Sequence, residues 1–338
     1  MLKKLTEAFG VSGYETEVRN IIMKELENYE VDMSVDSMGN MLVFKLAEEP
    51  SDAKTILLSA HMDEVGFIVT DLTNDGYIKF ASVGGIDPRI LISKRVCVNG
   101  RKGVIGLKPI HLTTKEERKK TPSEGKLFVD IGARTKAEAE TIVEKGDYFG
   151  FDSKYVEFGG QIKAKALDDR LGCAIMIEIL KKSWNVNLVC AFTVQEEVGL
   201  RGAKVVAKGI NPDYAVVIEG TTCNDMTGIP ENLRVTKSGC GAAISVLDSA
   251  SKADRELVDL LISAAEKRYI PWQFKASNTG GNDAGSIYLT DGGIKTASVS
   301  VPCRYIHSPV CVMSKEDFVS CQKMIEGFLE DCGKDERC

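Results

Sequence analysis

The sequence of 338 residues lacks any apolar run of about 20 residues, the length that a membrane-spanning helix needs. Its first 20 residues also lack the apolar stretch of a signal peptide. Aromatic residues make up only 7% of the chain, and the formal net charge is −6, so the composition does not indicate binding of nucleic acid. These absences predict a cytoplasmic protein that binds neither membranes nor nucleic acids, with a length that suits two domains.

Several motifs are missing as well. There is no GxxxxGK[ST] phosphate loop, no GxGxxG after a strand, and no GxSxG nucleophile turn. The ten cysteines contain no CxxC pair, which argues against a structural zinc site. Cys173 and Cys190 lie in apolar segments where free thiols are common. The pattern therefore predicts reduced thiols rather than a disulfide framework.

Apolar periodicity divides the chain into three parts. Strands alternate with helices in residues 1–66 and again in residues 162–338, whereas residues 67–161 contain short strands and frequent glycine turns. We predict one α/β domain with a mixed sheet covered by helices on both faces, interrupted by a small β-rich domain at 67–161. The charged loop 113–125 inside that insertion is interpreted as solvated, with a substrate-channel or assembly role as the alternative.

Acidic residues and histidines follow the apolar segments of the α/β part. Only three histidines occur in the chain, and two of them belong to this group. Its members are His61 with Asp63, Asp168 with Asp169, Glu196 with Glu197, Glu219, and His307. Ligands of open α/β sheets collect beyond the carboxyl ends of the strands. Two imidazoles and several carboxylates at such an edge form a ligand set for Zn²⁺ or Co²⁺, with Mn²⁺ also possible.

This set of residue types suits hydrolysis by a water activated between two divalent cations. One cation lowers the pKa of the water and polarises the carbonyl, and a second one about 3.5–4 Å away shares the charge. Asp168 is the candidate bridge between them. Of the adjacent Glu196 and Glu197, one can bind metal while the other acts as general base. Asp63 can accept the free N–H of His61 and orient the ring.

Each feature also has a structural interpretation when taken alone. A His-x-Asp pair is often a plain hydrogen bond, and an acidic pair before a helix often caps it. His111, in the inserted domain, is interpreted as packed or hydrogen-bonded and is not assigned to the metals. The glycine-rich segment 278–284 is interpreted as a turn, either near the substrate or purely structural. The hypothesis of a metal site rests on the convergence of all five segments, since charged groups at the end of a buried strand are costly unless paired or metal-bound.

Five segments of the chain resemble the M42 family of metallo-aminopeptidases, which includes the glutamyl and tetrahedral aminopeptidases. They are SAHMDEVGF (59–67), KALDDRLGC (165–173), TVQEEVGLRGA (193–203), GGNDAG (280–285) and PCRYIHSP (302–309). The resemblance implies a binuclear metal exopeptidase fold with metal ligands at His61, Asp168, Glu197, Glu219 and His307, and with Asp168 bridging. It implies Glu196 as the general base and Asp63 as the residue that orients His61. It also implies that the inserted domain is a dimerisation domain, and that the chain forms homo-oligomers from dimers to dodecamers.

Two positions depart from the family pattern. Glu219 stands where many members have aspartate, which changes the reach of one metal ligand, and Asn282 stands where threonine is common. The predicted function is removal of N-terminal residues from peptides. The alternatives are a deacylase of acyl-amino acids on the same metal site, a β-glucan endo-hydrolase, and a non-catalytic assembly module. The sequence chooses neither the metal nor the preferred first residue of the substrate.

Overall fold

Two β-sheets organise the chain in the computed structural model, which describes residues 1–49, 52–276, 278 and 280–334. The helices are α1 (Leu2–Glu7), α2 (Thr16–Leu26), α3 (Lys136–Glu140), α4 (Leu167–Leu180), α5 (Ala203–Val206), α6 (Arg255–Lys267), α7 (Ala284–Ile287) and α8 (Lys315–Cys332). The strands of the large sheet are β1 (Asp32–Val35), β2 (Met41–Lys45), β3 (Thr55–His61), β10 (Val156–Phe158), β11 (Gln161–Ala164), β12 (Asn187–Thr193), β13 (Tyr214–Thr222), β14 (Ala242–Ser245), β15 (Trp272–Phe274), β16 (Thr296–Arg304) and β17 (Cys311–Ser314). Those of the small sheet are β4 (Gly66–Leu72), β5 (Ile78–Val83), β6 (Arg95–Val98), β7 (Arg101–Gly106), β8 (Phe128–Asp130) and β9 (Tyr148–Phe151).

The large sheet is mixed. Its strand order is β1-β2-β12-β3-β13-β16-β17-β11-β10, and β14 joins β16 to β15. The neighbours β12, β3, β13 and β16 run parallel, whereas β2, β14 and β17 pair antiparallel to members of this group. Because four parallel strands stand side by side, their carboxyl ends meet at one edge. The predicted mixed α/β architecture is confirmed.

Alternate residues of the central strands enter two separate hydrophobic clusters. In β3, Ile56 and Leu58 belong to a large cluster with residues of α4, α6 and α8, whereas Leu57 belongs to a smaller cluster with residues of α5 and α7. Successive side chains of a strand point to opposite faces. Continuous apolar runs such as Ile56-Leu57-Leu58 are therefore buried throughout, and burial of each such side chain contributes about 1.5–3 kcal/mol.

The small sheet closes into a six-stranded barrel. Its order is β4-β5-β8-β7-β6-β9, and β9 pairs again with β4. The interior is filled by aromatic rings, with Phe67 in contact with Phe80, Phe149 and Phe151 at centroid distances of 5.0–5.2 Å. These rings belong to a hydrophobic cluster separate from those of the large sheet. In the sequence, the barrel strands lie between β3 and β10 of the large sheet. The short strands and tight turns of this small barrel explain why glycine is frequent in this part of the sequence.

Three local predictions differ from the structure. β13 continues for three residues past Glu219, which therefore lies inside the strand rather than at its end. His111 is exposed in a single 3₁₀ turn, so of its two interpretations, packed or hydrogen-bonded, the packed one is wrong. Eight cysteines carry free thiols and Cys332 is disulfide-bonded, so the prediction of reduced thiols is confirmed for those eight alone. Within the described ranges, the helices are all too short or too polar to cross a membrane.

A buried charge network attaches the N-terminal segment to the large sheet. Lys165 donates to Glu64 Oε1 at 2.5 Å and to the carbonyl oxygen of Ala8 at 2.7 Å. Arg170 lies 3.6 Å from the same Glu64 oxygen and donates to the carbonyl of Leu5 at 2.7 Å. Burial lowers the pKa of Lys165, although the nearby Glu64 carboxylate acts to raise it. The single acid thus compensates two buried cations close to residues 61–63 and 168–169.

We expect Glu64→Gln to lower the free energy of unfolding by about 3–5 kcal/mol, because the substitution leaves two buried cations without an anionic partner. Urea denaturation followed by circular dichroism measures this change. Asp259→Asn is the matched control, since Asp259 pairs with Arg255 on the exposed surface of α6 and exposed pairs contribute little. Equal stability of the two variants would contradict the proposed role of Glu64.

Candidate metal centre

The parallel strands bring the sequence-predicted residues to one edge of the large sheet. His61 is the last residue of β3, Glu196 and Glu197 follow β12, and Glu219 lies near the end of β13. His307 follows β16 in a turn with a φ of +57°. Asp168 arrives differently, at the start of α4, where Asp168 and Asp169 have non-helical backbone angles and share a cis peptide bond. Five distant segments therefore meet at one place.

Asp168 lies between the two histidines. Its Oδ1 is 3.4 Å from His61 Nε2, and its Oδ2 is 3.3 Å from His307 Nε2. His61 Nε2 is also 3.8 Å from Glu219 Oε2, and His307 Nε2 is also 3.3 Å from Glu197 Oε2. The arrangement has two halves, one with His61 and Glu219 and one with His307 and Glu197, and each oxygen of Asp168 faces one half.

Both imidazole rings are fixed by backbone carbonyls. His61 Nδ1 is 3.1 Å from the carbonyl oxygen of Asp63, and His307 Nδ1 is 2.8 Å from that of Gly85, which follows β5 of the barrel. A carbonyl oxygen only accepts hydrogen bonds, so each Nδ1 carries the hydrogen. In the neutral ring, this tautomer leaves the Nε2 lone pair directed at the carboxylates, as metal coordination requires.

The carboxylate of Asp63 holds the backbone that carries the glutamate pair. Its Oδ1 accepts a hydrogen bond from the amide of Glu196 at 3.0 Å, and its Oδ2 accepts one from the amide of Glu197 at 3.1 Å. Ser12 Oγ donates to the same Oδ2 at 2.6 Å. His61 Nδ1 lies 3.4 Å from Oδ1, farther than from the Asp63 carbonyl. Asp63 is thus placed to position both the imidazole and the two glutamates, and the contacts to the glutamate amides were not predicted.

The site concentrates buried acids. Burial raises the pKa of Glu197 to about 7 and raises the pKa values of Glu196 and Glu219 well above their usual range. Burial alone would also raise the pKa of Asp168, but the neighbouring imidazoles of His307 and His61 hold it below its usual range. Burial lowers the pKa of His307, yet Asp168 and Glu197 outweigh it and raise the value to about 10. The cluster therefore requires positive charge to ionise fully.

Several buried carboxylate oxygens have no hydrogen-bond partner among the described residues. They are Asp168 Oδ1, Glu197 Oε1, Glu219 Oε1 and Asp283 Oδ1. Unpaired buried polar atoms are rare, and a bound ion or water is one way to satisfy them. Two sets of three residues could each hold a metal ion, because the ligand atoms within each set lie within 4.8 Å of one another. The first set is His61, Asp168 and Glu197, and the second is His61, Asp169 and Glu219. Imidazole and carboxylate donors at this spacing fit divalent transition metals.

Two further acids of the site were not assigned from the sequence. Asp169 is buried and accepts hydrogen bonds from the amides of His61 at 3.2 Å and Gly172 at 3.1 Å. Asp283 is buried beside Thr193, whose hydroxyl donates to Oδ2 at 2.5 Å, and burial raises the pKa of Asp283 to about 6. The preceding Asn282 is buried as well and accepts from Ser298 Oγ at 3.2 Å. The acid in the GGNDAG segment was the sequence signal for Asp283.

Comparison with known proteins identifies related aminopeptidases. The model of the M42 glutamyl aminopeptidase family matches residues 39–324. A putative aminopeptidase of Acetivibrio thermocellus is 38% identical over 96% of both chains. The glutamyl aminopeptidase of Lactococcus lactis is 30% identical over 97% of this chain and 94% of its own length. The lysyl aminopeptidase of Pyrococcus furiosus is 29% identical over 98% and 96%, respectively.

Solved structures are similar over nearly the whole chain. An aminopeptidase of Desulfurococcus kamchatkensis superimposes with a TM-score of 0.92 at 34% identity, covering 98% of this chain and 93% of the other. The TET1 peptidase of Pyrococcus horikoshii, described as assembling into a tetrahedron or an octahedral shell, gives a TM-score of 0.86 at 35% identity with 98% of each chain covered. The chain is thus a hydrolase of peptides that belongs to the M42 aminopeptidase family.

Proposed function

We propose that the chain is a two-metal aminopeptidase that removes the N-terminal residue of peptides. The observation that carries this proposal is the placement of Asp168, whose two oxygens face different histidines in a cluster with orphaned carboxylate oxygens. We assign His61 and Glu219 to one divalent cation and His307 and Glu197 to the other, with Asp168 shared. Zn²⁺ or Co²⁺ suits this donor set best, and Mn²⁺ is compatible.

The protein's own groups account for the proton movements. When bound, the cations lower the pKa of a water and polarise the carbonyl of the scissile bond. Glu196 lies beside this cluster without belonging to either group of ligand atoms. Its carboxylate is the general base that takes the proton of the attacking water and delivers it to the leaving amine. Its raised pKa, caused chiefly by burial, makes Glu196 a stronger acceptor for the proton of the water. Asp63 positions Glu196 and Glu197 through their amides.

We also propose that the insertion predicted at residues 67–161 is a dimerisation domain, joined to a catalytic domain formed by 1–66 and 162–338. The barrel strands lie between residues 66 and 151, whereas β10 (Val156–Phe158), inside the predicted insertion, pairs with β11 in the large sheet. Relatives of this fold include a peptidase described as a tetrahedral or octahedral shell, which supports a homo-oligomer for this chain. The barrel supplies the Gly85 carbonyl that fixes His307. The cytoplasm is the proposed location.

Incubation of the metal-loaded protein with matched peptides tests the activity. We expect release of the first residue from an unblocked peptide and none from its N-acetylated form, with activity lost on chelation and restored by Zn²⁺, Co²⁺ or Mn²⁺. Release of acetate or another acyl group instead would favour the deacylase, and chelator-resistant cleavage of β-glucan would favour the glycosidase. The relatives named for lysyl and glutamyl substrates differ in charge preference, so family membership alone does not choose the first residue.

A further inference from the structure

A cavity of about 370 Å³ adjoins the metal centre at His307. One wall is the segment between β5 and β6 and includes Ile90 and Lys94, and the other wall is the turn 305–310, which carries His307. The hydrogen bond between His307 Nδ1 and the Gly85 carbonyl joins the two walls at 2.8 Å. Because His307 is both a wall of this cavity and a proposed metal ligand, a group bound in the cavity lies directly beside the site.

His307 is also the most open of the proposed metal ligands. Its side chain is 32% exposed, whereas those of His61, Glu197 and Glu219 are 1%, 5% and 6% exposed, respectively. A peptide that is held at its N-terminus by the cations must continue away from the site, and it cannot pass through buried side chains. The rest of a bound peptide therefore leaves the site past His307, along the cavity.

The wall between β5 and β6 is held in place at both of its ends. Gly84 has a φ of +85°, and a Cβ at this position would lie 2.8 Å from a methyl group of Val65 and 3.3 Å from Glu197 Cβ, so the backbone passes close to the glutamate pair. At the other end, the carbonyl of Lys94 accepts a hydrogen bond from the amide of Ile105 at 2.9 Å. The cavity is therefore preformed, as small-molecule sites usually are.

Apolar side chains dominate the lining of the cavity. They include Ile90 on the barrel side, and Ile306, Pro309 and Val310 on the other side. Val310 is 44% exposed, and Ile90 and Ile306 are partly exposed. Covering such surface with an apolar group of a ligand is favourable, at roughly 25 cal/mol per Å². The cavity volume lies in the usual range for sites of small ligands, about 300–1,000 Å³.

Lys94 supplies a cation to this cavity that no acid neutralises. Lys94 is partly buried, and no carboxylate of the described residues lies within ion-pair distance of its ammonium group. Asp87, the acid of the same wall, binds Arg89 instead, with Oδ1 accepting from the Arg89 amide at 2.9 Å and from Nε at 3.0 Å. An unpaired ammonium group beside apolar surface favours a ligand that combines an apolar group with a carboxylate.

We infer that this cavity receives the second residue of the substrate, and that Lys94 binds the C-terminal carboxylate when that residue is the last one. The inference rests on the proposed function. A chain that leaves past His307 brings its second side chain against Ile306 and Val310, and a dipeptide ends inside the cavity that Lys94 lines. The enzyme therefore favours dipeptides with an apolar second residue and a free carboxylate.

Kinetics on matched dipeptides test the carboxylate contact. The first residue is kept constant, as the one of leucine, lysine and glutamate that the metal-loaded wild type cleaves fastest, and the second is leucine, as the free acid or as the amide. We expect kcat/KM of the wild type to be roughly 10-fold higher for the free acid. Lys94→Met should remove this difference by lowering kcat/KM for the free acid, chiefly through KM. Lys136→Met, at an exposed lysine that begins α3, is the matched control and should keep the wild-type ratio.

Two further measurements separate binding from turnover and test the apolar wall. Glu196→Gln binds a dipeptide without cleaving it, so isothermal titration calorimetry gives its Kd. Adding Lys94→Met to this variant should raise the Kd of the free acid roughly 10-fold and leave that of the amide within about twofold. Val310→Ser removes apolar surface at an exposed position, and it should lower kcat/KM for leucine relative to glycine as the second residue by a few fold.

Each other outcome has a definite meaning. Equal cleavage of the free acid and the amide by the wild type would overturn the inference alone. An equal loss on both substrates in Lys94→Met would show a structural role of Lys94 and overturn it as well. If Val310→Ser changed the preference for the first residue and not that for the second, the cavity would hold the first side chain instead, against the inference. Failure to cleave any dipeptide would overturn the proposed function together with it.

Discussion

Glu196→Gln is expected to lower kcat by about 10²- to 10⁴-fold, the usual effect of removing a general base. The KM should change little, because Glu196 is not assigned to binding of substrate or metal. Glutamine keeps the volume of the side chain and the amide contact to Asp63, but it cannot accept the proton of the water. Initial rates on an unblocked peptide, measured with the metal content determined on the same sample, check this result.

The neighbouring glutamate provides the internal comparison. Glu197→Gln should also lose activity, but with loss of metal, because Glu197 Oε2 lies 3.3 Å from His307 Nε2 in the cluster of ligand atoms. Glu266→Gln, at an exposed position of α6, controls for the substitution itself. If Glu196→Gln lost metal while Glu197→Gln retained it, the two assignments would have to be exchanged.

Removal of the metals is expected to abolish activity and to lower the melting temperature by several degrees. A metal ion at a free concentration of 100 times its Kd stabilises the folded state by about 2.7 kcal/mol for each site. Without the cations, several buried acids also lie close together with no positive charge to balance them. Activity and differential scanning fluorimetry, before and after treatment with a chelator, measure the two effects. Asp168→Asn should remove most of the stabilisation by added metal, because Asp168 is the shared ligand. Asp130→Asn, an exposed position of the barrel, should keep the full response.

The increase in melting temperature on adding metal should depend on pH, and the pKa of Glu197 gives the direction of this dependence. The pKa of Glu197 in the metal-free folded protein is raised from 4.5 to about 7 by burial, so the folded state binds a proton that the unfolded state has released. Stability of the metal-free protein is therefore highest below about pH 4.5 with respect to this group, and falls as the pH rises towards 7. Bound cations favour the ionised carboxylate, so the gain in melting temperature on adding metal should grow between pH 5 and 7.5. A gain that shrinks over this range would contradict the assignment of Glu197 as a ligand.

The strand-end residues could be predicted because a buried apolar run followed by acids is a local pattern. Ile56-Leu57-Leu58 before His61, and the run before Glu196, each indicate a strand whose carboxyl end is charged. The tautomers of His61 and His307 could not be predicted, because their partners are backbone carbonyls, and one of them, Gly85, is 222 residues away along the chain. The contacts of Asp63 with the amides of Glu196 and Glu197 could not be predicted either, because they join backbone groups to a residue more than 130 positions away.

The sequence by itself determined which ligand groups this protein can offer: the number of its imidazoles and carboxylates and their positions after buried strands. It also determined the family to which the chain belongs. Residue type and hydrophobic period are local properties, and the backbone responds to them locally. Only the tertiary structure decided which oxygen of Asp168 faces which histidine, and that Glu219 lies inside its strand. Those relations depend on strand register and on contacts between distant segments, which no local pattern encodes.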